Sequence, residues 1–195
     1  MEKNQTTEKM VRVRWHGRGG QGSFTVARLL GMAAVDEGKF ALAFPTFGPE
    51  RRGAPVLGFT KIAAKRIDDR SEVQGCDYVV VLDETLVDEK TFAGLEPDGS
   101  VIINTTNPEK YRALLPHGQL ITVDATEIAL RQLGIPITNT VMFGALVAHS
   151  GLVRLQTALC VLGKEMKSGL AGINQAALLE AYNSVKGVSS KCAQA

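Results

Sequence analysis

Residues 11–22 read Val-Arg-Val-Arg-Trp-His-Gly-Arg-Gly-Gly-Gln-Gly, an alternating, β-branched run that empties into a glycine cluster; an amphipathic stretch over 23–34 follows at once. This order predicts strand, tight turn and helix. Gly17, Gly19 and Gly22 stand at G-x-G-x-x-G spacing. Glycine lets the backbone turn sharply and come close to a neighbour. The first N–H groups of the new helix then point outward with the positive end of the helix dipole behind them, which suits a phosphate or another anion. A nicotinamide dinucleotide site also needs an acidic residue at the end of the second strand, about 20 residues on. Here the predicted second strand, 40–44, ends in Pro45-Thr46-Phe47-Gly48, and Asp36 and Glu37 precede it. The spacing therefore predicts an anion-friendly edge and counts against NAD(P).

Strand and helix signals alternate along the chain. Strands are predicted over 11–15, 40–44, 56–62, 78–83, 100–104 and 120–123, and helices over 21–37, 84–92, 108–115 and 126–133. After Pro136 the strands stop, and 139–150, 155–166 and 174–186 all have a helical pattern. The continuous apolar run at 78–82 is the mark of a strand buried on both faces of a parallel sheet. Short links between alternating strands and helices give an α/β fold: a Rossmann-like, mostly parallel sheet with helices on both faces and a helical C-terminal part. Residues 1–9 are expected to form a disordered tail, 10–187 a single domain, and 188–195 a C-terminal tail.

The 195 residues are 45% hydrophobic, enough for a substantial core, and the net charge of +2 names no class of partner. No run of Lys and Arg follows one face, so nucleic acid is set aside. The polar N-terminus lacks the apolar stretch of a signal peptide, and no segment reaches the roughly 18 apolar residues that cross a bilayer. A cytoplasmic location without membrane contact is the expectation. Cys76, Cys160 and Cys192 lie far apart, as do His16, His117 and His149. Neither set has the spacing of an iron–sulfur or zinc site, so no metal ligand is assigned.

Three segments can carry function. In the glycine loop the N–H groups of Gly19, Gly20, Gln21 and Gly22, with the Arg18 guanidinium beside them, favour phosphate or carboxylate. The competing reading is a close-packed turn. The loop from Phe44 to Pro55 contains Phe47-Gly48-Pro49-Glu50-Arg51-Arg52. It lies at the carboxyl end of a strand, where open α/β sheets place ligands, though a solvated charged turn would look the same. Asn139 opens a predicted helix, as a ligand contact or as a cap. Within that helix Gly144 and Ala145 permit close approach of another backbone, in the core or across a subunit contact. Asp83 and Asn104 close their strands on the same edge. No nucleophile–base pair or clustered carboxylates are present, so no catalytic residue is assigned. The small and apolar residues of 20–42 and 140–162 exceed what one thin layer needs, which points to an obligate partner.

The sequence Trp15-His16-Gly17-Arg18-Gly19-Gly20-Gln21-Gly22, the downstream Phe47-Gly48-Pro49-Glu50-Arg51-Arg52-Gly53, and Asn139-Thr140 leading into Met142-Phe143-Gly144-Ala145 resemble the gamma subunit of 2-oxoacid:ferredoxin oxidoreductases, pyruvate synthase and its relatives. The likeness spans about residues 10–185. It implies a heteromeric complex that decarboxylates a 2-oxoacid, passes the acyl group to coenzyme A and hands electrons to ferredoxin or, through a flavoprotein subunit, to NAD. Thiamine diphosphate, magnesium and [4Fe-4S] clusters would be held by alpha, beta and delta-type partners. This chain would support assembly and coenzyme A binding through Gly17, Arg18, Gly19, Gly20, Gln21 and Gly22, with Asn104 and Asn139 on the same edge. Phe47, Gly48, Pro49, Glu50, Arg51 and Arg52 would face a partner or the active site. Two alternatives stay open: a free-standing Rossmann-type nucleotide-binding oxidoreductase, and a purely structural subunit.

Overall fold

The computed structural model describes residues 9–46, 53–69, 71, 73–167 and 169–192, and side chains as far as 187. Its elements follow the alternation of the sequence: β1 (Val11–Arg18), α1 (Ser23–Asp36), β2 (Phe40–Pro45), β3 (Pro55–Ala63), β4 (Cys76–Val81), two 3-10 turns (Glu84–Leu86 and Glu89–Phe92), β5 (Leu95–Asn104), α2 (Pro108–Arg112), β6 (Gln119–Val123), α3 (Ala125–Leu133), α4 (Asn139–Ser150), α5 (Leu155–Glu165) and α6 (Ala171–Cys192). The strands form one sheet in the order β2-β3-β1-β4-β5-β6. β1, β4, β5 and β6 pair in parallel, whereas β3 runs antiparallel to both β1 and β2. The reason lies in the links. Parallel neighbours need a crossover of about a dozen residues or more, and the nine residues between Pro45 and Pro55 are fewer than that.

The two faces are filled differently. Val13 and Trp15 of β1, Val80 and Leu82 at β4, and Ile102 of β5 meet α1, α3, α4, α5 and α6 in one apolar cluster. Trp15 is fully buried there, and its Nε1 donates to Thr60 Oγ1, which donates in turn to the Ala27 carbonyl. Strand parity sends Val79, Val81, Val101 and Ile103 to the other face. There, among the described residues, their cover is Phe92 of the second 3-10 turn, Tyr111 of α2 and the loop residues Val73, Val87 and Leu115, beside neighbours in the sheet such as Phe59. Both faces thus carry helical segments, but those on the second are one turn long.

α4 is apolar all round and buried from Asn139 to Ala148, as a helix enclosed by its own fold must be. A Cβ on Gly144 would overlap the carbonyl oxygen of Leu178, so α6 crosses α4 backbone to backbone. The close approach that Gly144 permits is therefore internal. The apolar surplus of 140–162, taken from composition as a sign of a partner, is largely spent between α4, α5 and α6.

Several boundaries depart from expectation. The helix expected over 84–92 is two separate 3-10 turns, because Asp83 caps one through Thr85 N and Asp88 caps the other through Thr91 N. β1 runs on through Gly17 to Arg18, because β3 continues the ladder with Gly17 opposite Val56 and Arg18 opposite Pro55. α6 starts at Ala171 and continues to Cys192, past the point where the sequence suggests a tail. Among the described residues no helix is long and apolar enough to cross a membrane.

Candidate functional site

In this sheet β1 sends its chain through α1 to β2 on one side, while β4 sends its chain to β5 on the other. The crevice beyond the carboxyl ends of β1 and β4 is thus a topological switch point, the place where open α/β sheets bind ligands. Three sequence segments meet there. The glycine loop leaves β1, and the ends of the 46–54 segment are fastened to it: Gly19 N donates to Ala54 O (2.8 Å), Gly53 N to Gly19 O (3.4 Å), and Arg18 Nη1 to Gly53 O (3.1 Å). Gly22 sits at φ +80°, where a side chain is strained, and a Cβ there would strike Asn139 Nδ2 at the start of α4. Only glycine lets the starts of α1 and α4 touch in this way.

The loop also closes on itself. Arg18 N donates to Gln21 Oε1 (2.7 Å) and Gln21 N to Arg18 O (2.9 Å). The Arg18 guanidinium is engaged throughout: Nε binds Asp83 Oδ2 (3.0 Å), Nη1 the Gly53 carbonyl, and Nη2 Thr85 Oγ1 (2.8 Å). Gln21 Nε2 donates to the same Asp83 oxygen (3.1 Å). Burial alone would raise the Asp83 pKa, but the hydrogen bonds from Thr85, Gln21 and Arg18 outweigh it and hold the carboxyl below its ordinary value. The N–H groups of Gly19 and Gln21 are therefore spent inside the loop. Among the described residues, those of Gly20 and Gly22 have no backbone partner. The start of α1 has no side-chain cap.

Beside this corner a cleft of about 520 Å³ opens at the ends of β4 and β5, lined by Gln21, Asp83, Glu84, Thr105, Asp124 and Thr138 among others. Its wall is rich in hydroxyls and carboxylates rather than cations. Thr105 and Tyr111 hydroxyls donate to Glu84 Oε2 and, against the cost of burial, keep its pKa below the usual range. Asp124 caps α3 through Glu127 N. Asn104, read from sequence as a ligand contact or a cap, has its amide committed. Oδ1 accepts from Ala125 N and Thr126 N, and Nδ2 donates to Leu82 O and Thr126 Oγ1. Asn139 is the first residue of α4 rather than its cap, which is Thr138. Its Oδ1 accepts from Thr140 N.

The structure thus brings Gly17, Arg18, Gly19, Gly20, Gln21, Gly22 and Asn139 into one corner, with Asn104 one strand further along. Phe47, Gly48, Pro49, Glu50, Arg51 and Arg52 lie outside the described residues. Sequence reasoning missed Thr85 and the joint hold of Arg18 and Gln21 on Asp83. The strand-end position of Asp83 was the available signal.

Comparison with known proteins agrees with this architecture. The family profile described as pyruvate ferredoxin/flavodoxin oxidoreductase matches residues 12–184. Pyruvate synthase subunit PorC of Methanothermobacter marburgensis is 44% identical over 178 residues, covering 91% of this chain and 98% of the relative. The pyruvate/ketoisovalerate oxidoreductases common subunit gamma of Thermococcus kodakarensis is also 44% identical, over 89% of this chain and 96% of its own length. The crystal structure of pyruvate oxidoreductase subunit PORC from Thermotoga maritima superposes with a TM-score of 0.81 at 37% identity, covering 90% of this chain and 97% of that one. A 2-oxoglutarate:ferredoxin oxidoreductase from Magnetococcus marinus, solved with 2-oxoglutarate, coenzyme A and succinyl-CoA bound, shares the fold. Its TM-score is 0.72 at 17% identity, over 92% of this chain and 32% of that one. The chain belongs to the pyruvate ferredoxin/flavodoxin oxidoreductase family, among its gamma subunits.

Proposed function

We propose that this gamma subunit works in a complex that oxidatively decarboxylates a 2-oxoacid, pyruvate first, to an acyl-CoA and carbon dioxide, with electrons passing to ferredoxin. The observation that carries this reading is 44% identity over almost the whole length of a pyruvate synthase subunit. Thiamine diphosphate, magnesium and [4Fe-4S] clusters belong, on this reading, to alpha, beta and delta-type partners. The described residues do not fit a cluster: no three His, Cys, Asp or Glu side chains converge among them. Cys76 is buried in β4 while Cys160 is exposed on α5.

Within that complex we assign to this chain the positioning of coenzyme A at the switch-point corner. The uncapped start of α1 and the N–H groups of Gly20 and Gly22 are the donors left for a phosphate. The hydroxyl-rich cleft beside them suits the amides and ribose of the same molecule. Gly17, Gly19, Gln21 and Asn139 give the corner its shape, and Arg18 braces it. Asn104 holds the start of α3 at the cleft wall.

The test is Arg18→Ala in the anaerobically isolated complex. Losing the ties to Asp83, Thr85 and Gly53 is expected to raise the KM for coenzyme A about tenfold, since a charged hydrogen bond contributes on the order of 1.5–3 kcal/mol. The KM for the oxoacid should change far less. The engagement of every Arg18 nitrogen also favours a second reading, in which the corner only braces the subunit. That reading predicts weakened assembly with an unchanged KM for coenzyme A. A colourless chain that turns over alone would overturn both.

A further inference from the structure

A second cavity lies on the opposite face from α1, between β1, β3 and the second 3-10 turn. It has a volume of about 380 Å³, and its walls include Arg14, His16, Thr46, Leu57, Leu86 and Lys90. Arg14 and His16 are two residues apart on β1, so strand parity places both on this face. Arg14 is buried, with Nη2 donating to the carbonyls of Thr91 (2.9 Å) and Ala93 (2.8 Å) and Nε donating to His16 Nε2 (3.0 Å).

That last bond fixes the imidazole. A guanidinium has donors only, so His16 Nε2 must accept, and the ring proton sits on Nδ1. Burial, and then the Arg14 charge beside it, keep the ring neutral, with its pKa pushed down from 6.5 to about 3. Neither His16 Nδ1 nor Arg14 Nη1 has a hydrogen-bond partner among the described residues. Both residues line the cavity, and neither nitrogen is among the described side-chain atoms that are sealed from solvent without a partner. Asp88, also on the wall, closes a capping box with Thr91 through Oδ1, and its charge favours protonation of His16 without outweighing burial and Arg14.

We propose that this cavity binds a carboxylate, received by His16 Nδ1–H and Arg14 Nη1, with the attached carbon chain against Leu57 and Leu86. The site shares Gly17 with the switch-point corner but opens on the face away from α1, and it does not depend on how that corner is read. Two donors, one of them permanently charged, match the two oxygens of a carboxylate. The apolar wall selects an acid with a short aliphatic body, either a free 2-oxoacid-sized molecule or a Glu or Asp side chain from a partner subunit.

Long-range proton–nitrogen NMR on the full chain, labelled at histidine nitrogen, tests this. His16 is expected to hold its proton on Nδ1 from pH 8 to pH 5, and acetate or pyruvate should move its Nδ1 resonance along a saturating curve. A resonance that ignores both acids but moves when the complex assembles assigns the carboxylate to a partner side chain. A proton on Nε2, or a resonance moved by neither the acids nor assembly, overturns the proposal. His16→Asn keeps an N–H donor near the Nδ1 position, and the acids should bind within about threefold of the parent when followed at the Gly17 amide. His16→Phe should weaken them about tenfold, the loss of one charge-assisted hydrogen bond. Equal binding by the two variants would also overturn the proposal. If His16→Phe fails to fold, the tautomer and the titrations of the unaltered chain still decide.

Discussion

The two faces of the sheet solve the same covering problem by different means. On one, α1, α3, α4, α5 and α6 bury an apolar cluster, and the helices satisfy their own backbones. On the other, the cover is 3-10 turns, the one-turn α2 and loops, whose carbonyls have few helical partners of their own. Two buried cations hold those segments down. Arg14 takes the carbonyls of Thr91 and Ala93. Lys61 of β3 takes the carbonyls of Asp69 and Ser71 together with the Asp69 carboxylate, and its ammonium lies over the Phe44 ring. Long helices thus supply stability through packing, whereas short cover needs fixed positive donors. A face built in the second way keeps polar groups near its cavities, and the cavity at Arg14 and His16 is one result.

The contrast is open to direct attack. The largest effect belongs to the helical face. Gly144→Val forces apart two backbones in contact at Leu178 and should cost about 3 kcal/mol, the upper end of overpacking penalties. Urea unfolding of the purified chain measures it, and a loss below about 1 kcal/mol would mean that α4 and α6 can separate cheaply. Next comes Arg14→Met, which strips the donor from two carbonyls and should cost about 2 kcal/mol. Amide exchange should quicken over 89–94 and stay unchanged in α4 and α6. Faster exchange in α4 would break the claim that the faces are held independently.

The smallest effect is a dependence on pH. The unfolded chain takes up a proton at His16 below about 6.5, whereas the folded chain resists until about pH 3. This site therefore costs no stability above pH 6.5. It removes stability progressively as the pH falls through that window, by at most about 1.4 kcal/mol per pH unit. Between pH 7.5 and 5.5 the parent should lose about 1 kcal/mol more than His16→Asn. Parallel stability profiles would show that the imidazole titrates normally.

The helical face was the more legible in the sequence. The apolar run of 139–150 bounds α4 at both ends as read, because a buried helix leaves its mark in every residue. Strand positions were also visible, but strand direction was not: alternation is the same in either sense, and the antiparallel pairing of β3 with β2 follows from a connection too short for a parallel crossover. The thin face was harder to read. Asp83 and Asp88 stand five positions apart, each able to start a new turn, and so they split what looked like one helix. His16 was read as an isolated histidine, and Arg14 was not singled out. Their partners are largely backbone carbonyls and each other, and a carbonyl has no letter of its own in a sequence. In the glycine corner the spacing foretold the tight turn. It said nothing of how many N–H groups the turn would spend on itself, which depends on where Ala54 and Gln21 come to lie.

The relay from Trp15 through Thr60 to Ala27 has a practical consequence. Trp15 is the only tryptophan of the chain and lies two residues before Gly17, with its indole shut away from water. Its fluorescence is therefore a single-site optical gauge of whether β1, β3 and α1 are joined. Emission from the folded chain should sit at short wavelength and resist iodide quenching. The band should move to the red when this junction opens, so the glycine corner can be followed in solution without attaching a dye.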